Sequence, residues 1–117
     1  MRLNHVALTV ADRARSAAFY GEHFGFGEVV HQDDRLLILA APDGALLALS
    51  EGEPAAAGLP RTNHFGLEAE SAEQVRALRD RLRADGVRET EWQDDDGFFV
   101  RVQVADPDGY RVEVYWH

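Results

Sequence analysis

The chain has 117 residues, 45% hydrophobic and 28% charged, a size and balance that suit one compact domain. Its formal charge is −9, all twelve cations are arginine, and cysteine is absent. Without lysine or thiol there is no Schiff-base nitrogen, no phosphate-loop lysine, no disulfide and no sulfur ligand, so a bound metal would need nitrogen and oxygen donors; the acidic balance opposes nucleic acid and anionic membranes as partners.

No apolar run approaches ~20 residues, and Met1-Arg2-Leu3-Asn4-His5 leads straight into a strand pattern, so a cytoplasmic protein without leader or membrane span is expected. The first strand is predicted from Arg2 to Val10, followed by Asp12 as helix N-cap and a helix over 13–24 that stops before Gly25-Phe26-Gly27. Three strands follow near 28–32, 36–40 and 45–50, the last two joined by Pro42-Asp43-Gly44. Glu51–Pro60, with alanine, glycine and two prolines, reads as a linker. The next strand spans His64–Glu68. Ser71-Ala72-Glu73-Gln74 then opens a helix carrying Val75, Leu78 and Leu82 at helical spacing and stopped by Asp85-Gly86. The last three strands fall near 88–93, 98–105 and 110–116, with Asp94-Asp95-Asp96-Gly97 as a solvated hairpin turn.

The chain repeats itself. Asn4-His5-Val6-Ala7-Leu8 recurs as Asn63-His64-Phe65-Gly66-Leu67, and Pro42-Asp43-Gly44 as Pro107-Asp108-Gly109, at offsets of 59 and 65 residues. A unit of ~55 residues is too short to bury a core alone and is better completed by a twin. The expected fold is therefore α+β: two tandem βαβββ modules, residues 1–50 and 63–117, joined by a linker at 51–62 within a single domain, with strand alternation leaving one face of each sheet for the helices and the other for function.

The repeat gives His5 and His64 equivalent places, and Glu113 interrupts the apolar run Val112-Glu113-Val114 on the last strand. Taken singly, each histidine is a hydrogen-bonded strand start and Glu113 a solvent-facing carboxylate. Taken together, the three point to a metal site. In the seventh strand Phe99, Arg101 and Gln103 form one alternating set, and Phe98, Val100, Val102 and Val104 the apolar set that faces the helices. Arg101 and Arg111 are then candidate anion partners and Trp92 and Phe99 a candidate aromatic wall, with cross-strand pairing to neighbouring acids as the alternative. Arg111 and Tyr115 share the face of Glu113. His31, His117 and Tyr115 are acid–base candidates by residue type alone.

These motifs, together with Phe19-Tyr20 leading to Phe24-Gly25-Phe26 and with Asp106-Pro107-Asp108-Gly109-Tyr110-Arg111-Val112-Glu113, give a sequence that resembles the vicinal oxygen chelate superfamily over nearly its whole length. That superfamily groups glyoxalase I, extradiol dioxygenases, fosfomycin-modifying thiol transferases and bleomycin-resistance proteins. The resemblance implies a cupped mixed sheet paired in a homodimer, with metal ligands His5, His64 and Glu113, His5 coming from one chain and the other two from its partner. It implies a divalent ion, Fe2+ or Mn2+ ahead of Zn2+ or Ni2+, and a small-molecule substrate chelated through neighbouring oxygens. Two imidazoles and one carboxylate would leave about three open octahedral positions. Aligning the two Pro-Asp-Gly turns puts Ala48 opposite Glu113, so the fourth ligand of glyoxalase I is missing. Ala7, Gln93, Gly97 and Gln103 stand where fosfomycin transferases carry their substrate and cation residues. The implied function is a metal-dependent enzyme, dioxygenase-like or thiol-transferase-like, with a non-catalytic, ligand-sequestering protein of the bleomycin-resistance kind as the alternative.

Overall fold

A computed structural model describes residues 1–96 and 98–117. The chain divides into two compact units, Met1–Gly58 and Leu59–His117. The first contains β1 (His5–Val10), α1 (Arg13–Phe24), β2 (Glu28–Gln32), β3 (Leu37–Ala40) and β4 (Leu46–Glu51). The second contains β5 (Phe65–Glu68), α2 (Ala72–Ala84), β6 (Glu89–Asp95), β7 (Phe99–Ala105) and β8 (Arg111–Trp116). Each unit is thus βαβββ. Each builds a four-stranded mixed sheet in the same order, β1-β4-β3-β2 and β5-β8-β7-β6, with the first and last strands parallel and the others antiparallel.

The helices form where the caps say they should. Asp12 accepts from the Arg15 N–H at 3.1 Å, and Gly25, at φ 82°, closes α1 in the left-handed conformation that glycine adopts without strain. Ser71 accepts from Gln74 N–H at 3.1 Å, while the Gln74 side chain accepts from the Glu70 N–H at 2.7 Å, a reciprocal cap displaced by one residue from the usual box. The Pro-Asp-Gly turns repeat in structure as in sequence, with Gly44 and Gly109 both at positive φ and both donating to the carbonyl three residues back, Ala41 and Asp106.

In the second unit α2 packs on β7 and β8. Val75, Leu78 and Leu82 are buried together with Val100, Val102, Val104, Val112 and Val114, so the apolar alternate positions of the sheet take the helix. The opposite face is left to Gly66, Glu113, Tyr115, Arg101, Gln103 and Phe99. In the first unit Tyr20, Leu37, Leu39, Leu47 and Leu49 are buried with α1 against β4. There Ala48 stands beside Ala7 as Glu113 stands beside Gly66, two residues after each histidine.

Several boundaries differ from expectation. The first strand starts at His5 rather than Arg2, although the Asn4 carbonyl still accepts from Leu46 N–H at 2.9 Å, and Glu51 ends β4 rather than opening the linker. The acidic hairpin is shorter than the run of aspartates: Asp94 and Asp95 belong to β6, and the exposed Asp94 is gripped by Arg76 of α2 through two 2.9 Å hydrogen bonds. That guanidinium also holds the Asp94 carboxyl below its ordinary pKa. Gly97 lies outside the described residues. No helix among them is long and apolar enough to cross a membrane.

His31 on β2 pairs with Asp33 at 2.9 Å. That hydrogen bond, followed by those from the Arg35 and Leu36 N–H groups, lowers the Asp33 pKa to about 2. Because this lies below the ordinary 3.8, the contribution to stability is complete above that value and is lost as pH falls through about 2. NMR titration of the Asp33 carboxyl should find its midpoint near 2, and His31→Ala should raise it; an unmoved midpoint would assign the shift to the turn backbone alone.

Candidate functional site

The face of the second sheet away from α2 concentrates polar groups that its register puts side by side. Glu113 on β8 lies between Gly66 of β5 and Gln103 of β7, and Tyr115, two residues on, lies between Glu68 and Arg101. Gly66 puts no side chain beside Glu113, so the carboxylate can approach the strand end where His64 sits. The His64 Nδ1 lies 2.8 Å from the Thr62 carbonyl. A carbonyl only accepts, so Nδ1 carries the proton; in the neutral ring Nε2 then presents a lone pair. That Nε2 is 3.7 Å from Glu113 Oε2, with side-chain exposures of 33% and 10%. An imidazole whose other nitrogen is tied to a backbone carbonyl, with its free nitrogen toward a nearly buried carboxylate, is an oriented nitrogen–oxygen pair of the kind divalent metals use.

The loop that holds His64 is itself fastened. Arg111 Nη1 donates to the Arg61 carbonyl, one residue before Thr62, and the Arg61 guanidinium pairs with Glu91 of β6. Arg111 therefore anchors the loop beneath His64. Sequence reasoning missed Thr62, because a backbone carbonyl leaves no residue-type signal.

Arg101 comes to Glu113 as a direct partner, Nη1 donating to Oε2 at 2.9 Å, while its Nε donates to Gln93 Oε1 at 3.3 Å. Gln103 is buried at 2% exposure and accepts from Thr90 Oγ1 at 2.9 Å. Phe99 and Tyr115 stack at 6.1 Å between centroids with an interplanar angle of 30°, and His117 meets Phe99 edge-on. Trp92 is not part of this wall. Opposite Val102 in the ladder, it belongs to the helix side, where Arg79 of α2 lies 4.1 Å from its ring centroid. Arg79 also grips Glu89 at 2.7 and 3.1 Å and holds that carboxyl below its ordinary pKa.

In the first unit His5 repeats the pattern of its twin: Nδ1 lies 2.9 Å from Asn4 Oδ1, leaving Nε2 unused by that bond. Glu51 is engaged away from this face, accepting from the Arg13 N–H at 3.2 Å, so it does not supply the carboxylate that Ala48 lacks. Among the described residues no three histidine, aspartate or glutamate side chains gather as a metal cluster.

Twin βαβββ modules, each a four-stranded mixed sheet with one helix, define the fold class. Residues 2–114 match the family model of the Glyoxalase/Bleomycin resistance protein/Dioxygenase superfamily, and the chain belongs to that superfamily. It is 26% identical over 119 residues to a probable trivalent organoarsenical cleaving enzyme of Bacillus subtilis, covering 99% of this chain and 80% of the relative. Among solved structures it is similar to a possible glyoxalase from Bacillus cereus, with TM-score 0.80, 29% identity and 97% of each chain covered. It also shares the fold of the fosfomycin resistance protein FosX from Listeria monocytogenes complexed with Mn(II) and sulfate, with TM-score 0.81, 21% identity, and 98% of this chain and 89% of the other covered.

Proposed function

We propose that the chain is a divalent-metal-dependent enzyme that takes a small substrate through two neighbouring oxygens at His64, Glu113 and His5, with His5 contributed by a partner chain in a homodimer. The observation that carries this reading is the His64 imidazole, fixed through Nδ1 on Thr62 with Nε2 3.7 Å from Glu113 Oε2. The donor set suits Fe(II) or Mn(II) better than a structural zinc, which takes four protein ligands. A bound ion would act as a Lewis acid toward a substrate oxygen that gains charge during reaction, and iron would in addition admit dioxygen. The protein's own share is orientation: Thr62 and Arg111 hold His64, and Phe99 and Tyr115 offer a flat aromatic surface on the same sheet face.

Two features narrow the chemistry. Ala48 at the fourth ligand position argues against the reaction of glyoxalase I. The absence of cysteine removes the soft thiolate that trivalent arsenic favours, so the activity in the name of the Bacillus subtilis relative is not carried over, and hard-oxygen chelation is preferred. A second reading, ligand sequestration without metal, has one observation behind it: Arg101 already neutralises Glu113 at 2.9 Å.

The test is turnover and oxygen uptake against a panel of catechols after anaerobic purification, with and without chelator. Oxygen consumption that chelator abolishes and Fe(II) restores is the expected result. Tight ligand binding by chelated protein, with no turnover under any metal, would select sequestration.

A further inference from the structure

We propose that Arg101 is a counter-ion that gives up Glu113 when a divalent cation binds there, and that its released guanidinium then receives an anionic group of the substrate. This rests on the metal reading of His64 and Glu113.

The argument begins at one atom. Glu113 Oε2 accepts from Arg101 Nη1 at 2.9 Å and is also the oxygen 3.7 Å from His64 Nε2. A cation bound between His64 and Glu113 needs that oxygen, and a guanidinium at hydrogen-bond distance from it would repel the cation. A carboxylate with 10% of its side chain exposed is costly to leave unpaired, and the arginine supplies the missing charge.

Arg101 is held so that it can turn without leaving. Its backbone stands opposite Tyr115, one row along from Glu113, and its Nε is bonded to Gln93 of the neighbouring strand, so the head can pivot about that second contact. Its side chain is 26% exposed, which leaves room for the movement. Arg111, on the same face, is engaged with the Arg61 carbonyl, so Arg101 is the cation whose partner the metal removes. Once released, it lies beside the Phe99–Tyr115 stack with a metal charge nearby, an arrangement that selects an anionic molecule with a flat ring. Metal and anion would then bind cooperatively, each strengthening the other by the same factor.

The test titrates Mn(II) into the protein at constant ionic strength, reading free Mn(II) by electron paramagnetic resonance, with and without sulfate as the probe anion. Arg101→Gln, which keeps an N–H donor but no charge, should bind Mn(II) about tenfold more tightly than the parent, the strength of one partly buried ion pair. Sulfate should tighten Mn(II) binding about fivefold in the parent and leave Arg101→Gln unchanged, within the usual range of coupling. Arg101→Lys, with a cation of different reach, should tighten Mn(II) by a smaller factor and decides the matter if the glutamine variant does not fold. Binding by Arg101→Gln alone also supports the exchange. Equal or weaker Mn(II) binding in Arg101→Gln, or an equal sulfate effect in both proteins, overturns it while leaving the metal reading intact. Absence of Mn(II) binding from parent and variants overturns both.

Discussion

Glu113→Gln is expected to lower divalent-metal affinity by more than about 100-fold, beyond the 10–100-fold that loss of an outer-shell partner costs, since here an anionic ligand itself is removed. The substitution keeps the shape of the side chain and its place between Gly66 and Gln103, so the change is one of charge. It also leaves the Arg101 guanidinium without its carboxylate, and a group 26% exposed can turn toward water, so the fold should survive. Metal titration of Glu113→Gln beside the parent, with circular dichroism to confirm the fold, checks this; undiminished affinity would remove Glu113 from the ligand set.

The second large effect concerns stability. Leu82 is 1% exposed on α2, which packs on β7 and β8, the two strands that carry Arg101, Gln103 and Glu113. Leu82→Ala deletes apolar contact and leaves a cavity behind the sheet, at a cost of about 2–5 kcal/mol. Against a total stability of about 5–15 kcal/mol for a chain of this kind, that is a large fraction. Urea unfolding should show a lower midpoint with an unchanged slope. A loss under about 1 kcal/mol would mean that the helix repacks without strain.

Much of this architecture is legible in the sequence because it is written twice. The duplicated Asn-His starts and Pro-Asp-Gly turns mark two tandem modules, whereas alternation groups residues only within a strand and does not by itself relate His64 to Glu113, whose side chains lie 3.7 Å apart. Nor does alternation show the contact of Arg101 with Glu113: the residue directly opposite Glu113 is Gln103, and Arg101 reaches it diagonally from the row of Tyr115. Trp92 lies on the other face for a related reason. Its side of the sheet depends on the register across the β6–β7 hairpin, and pairing with Val102 turns it toward α2, where Arg79 covers it. The irregularity between Glu89 and Glu91 leaves no mark in composition, and the Thr62 carbonyl that orients His64 belongs to the backbone rather than to any residue type.

Elemental analysis of anaerobically purified protein, beside the double variant His64→Ala/Glu113→Ala purified in the same way, decides whether these two side chains hold a metal. A stoichiometric complement of iron or manganese in the parent and its absence from the variant is the predicted result; equal metal in the two proteins would contradict it.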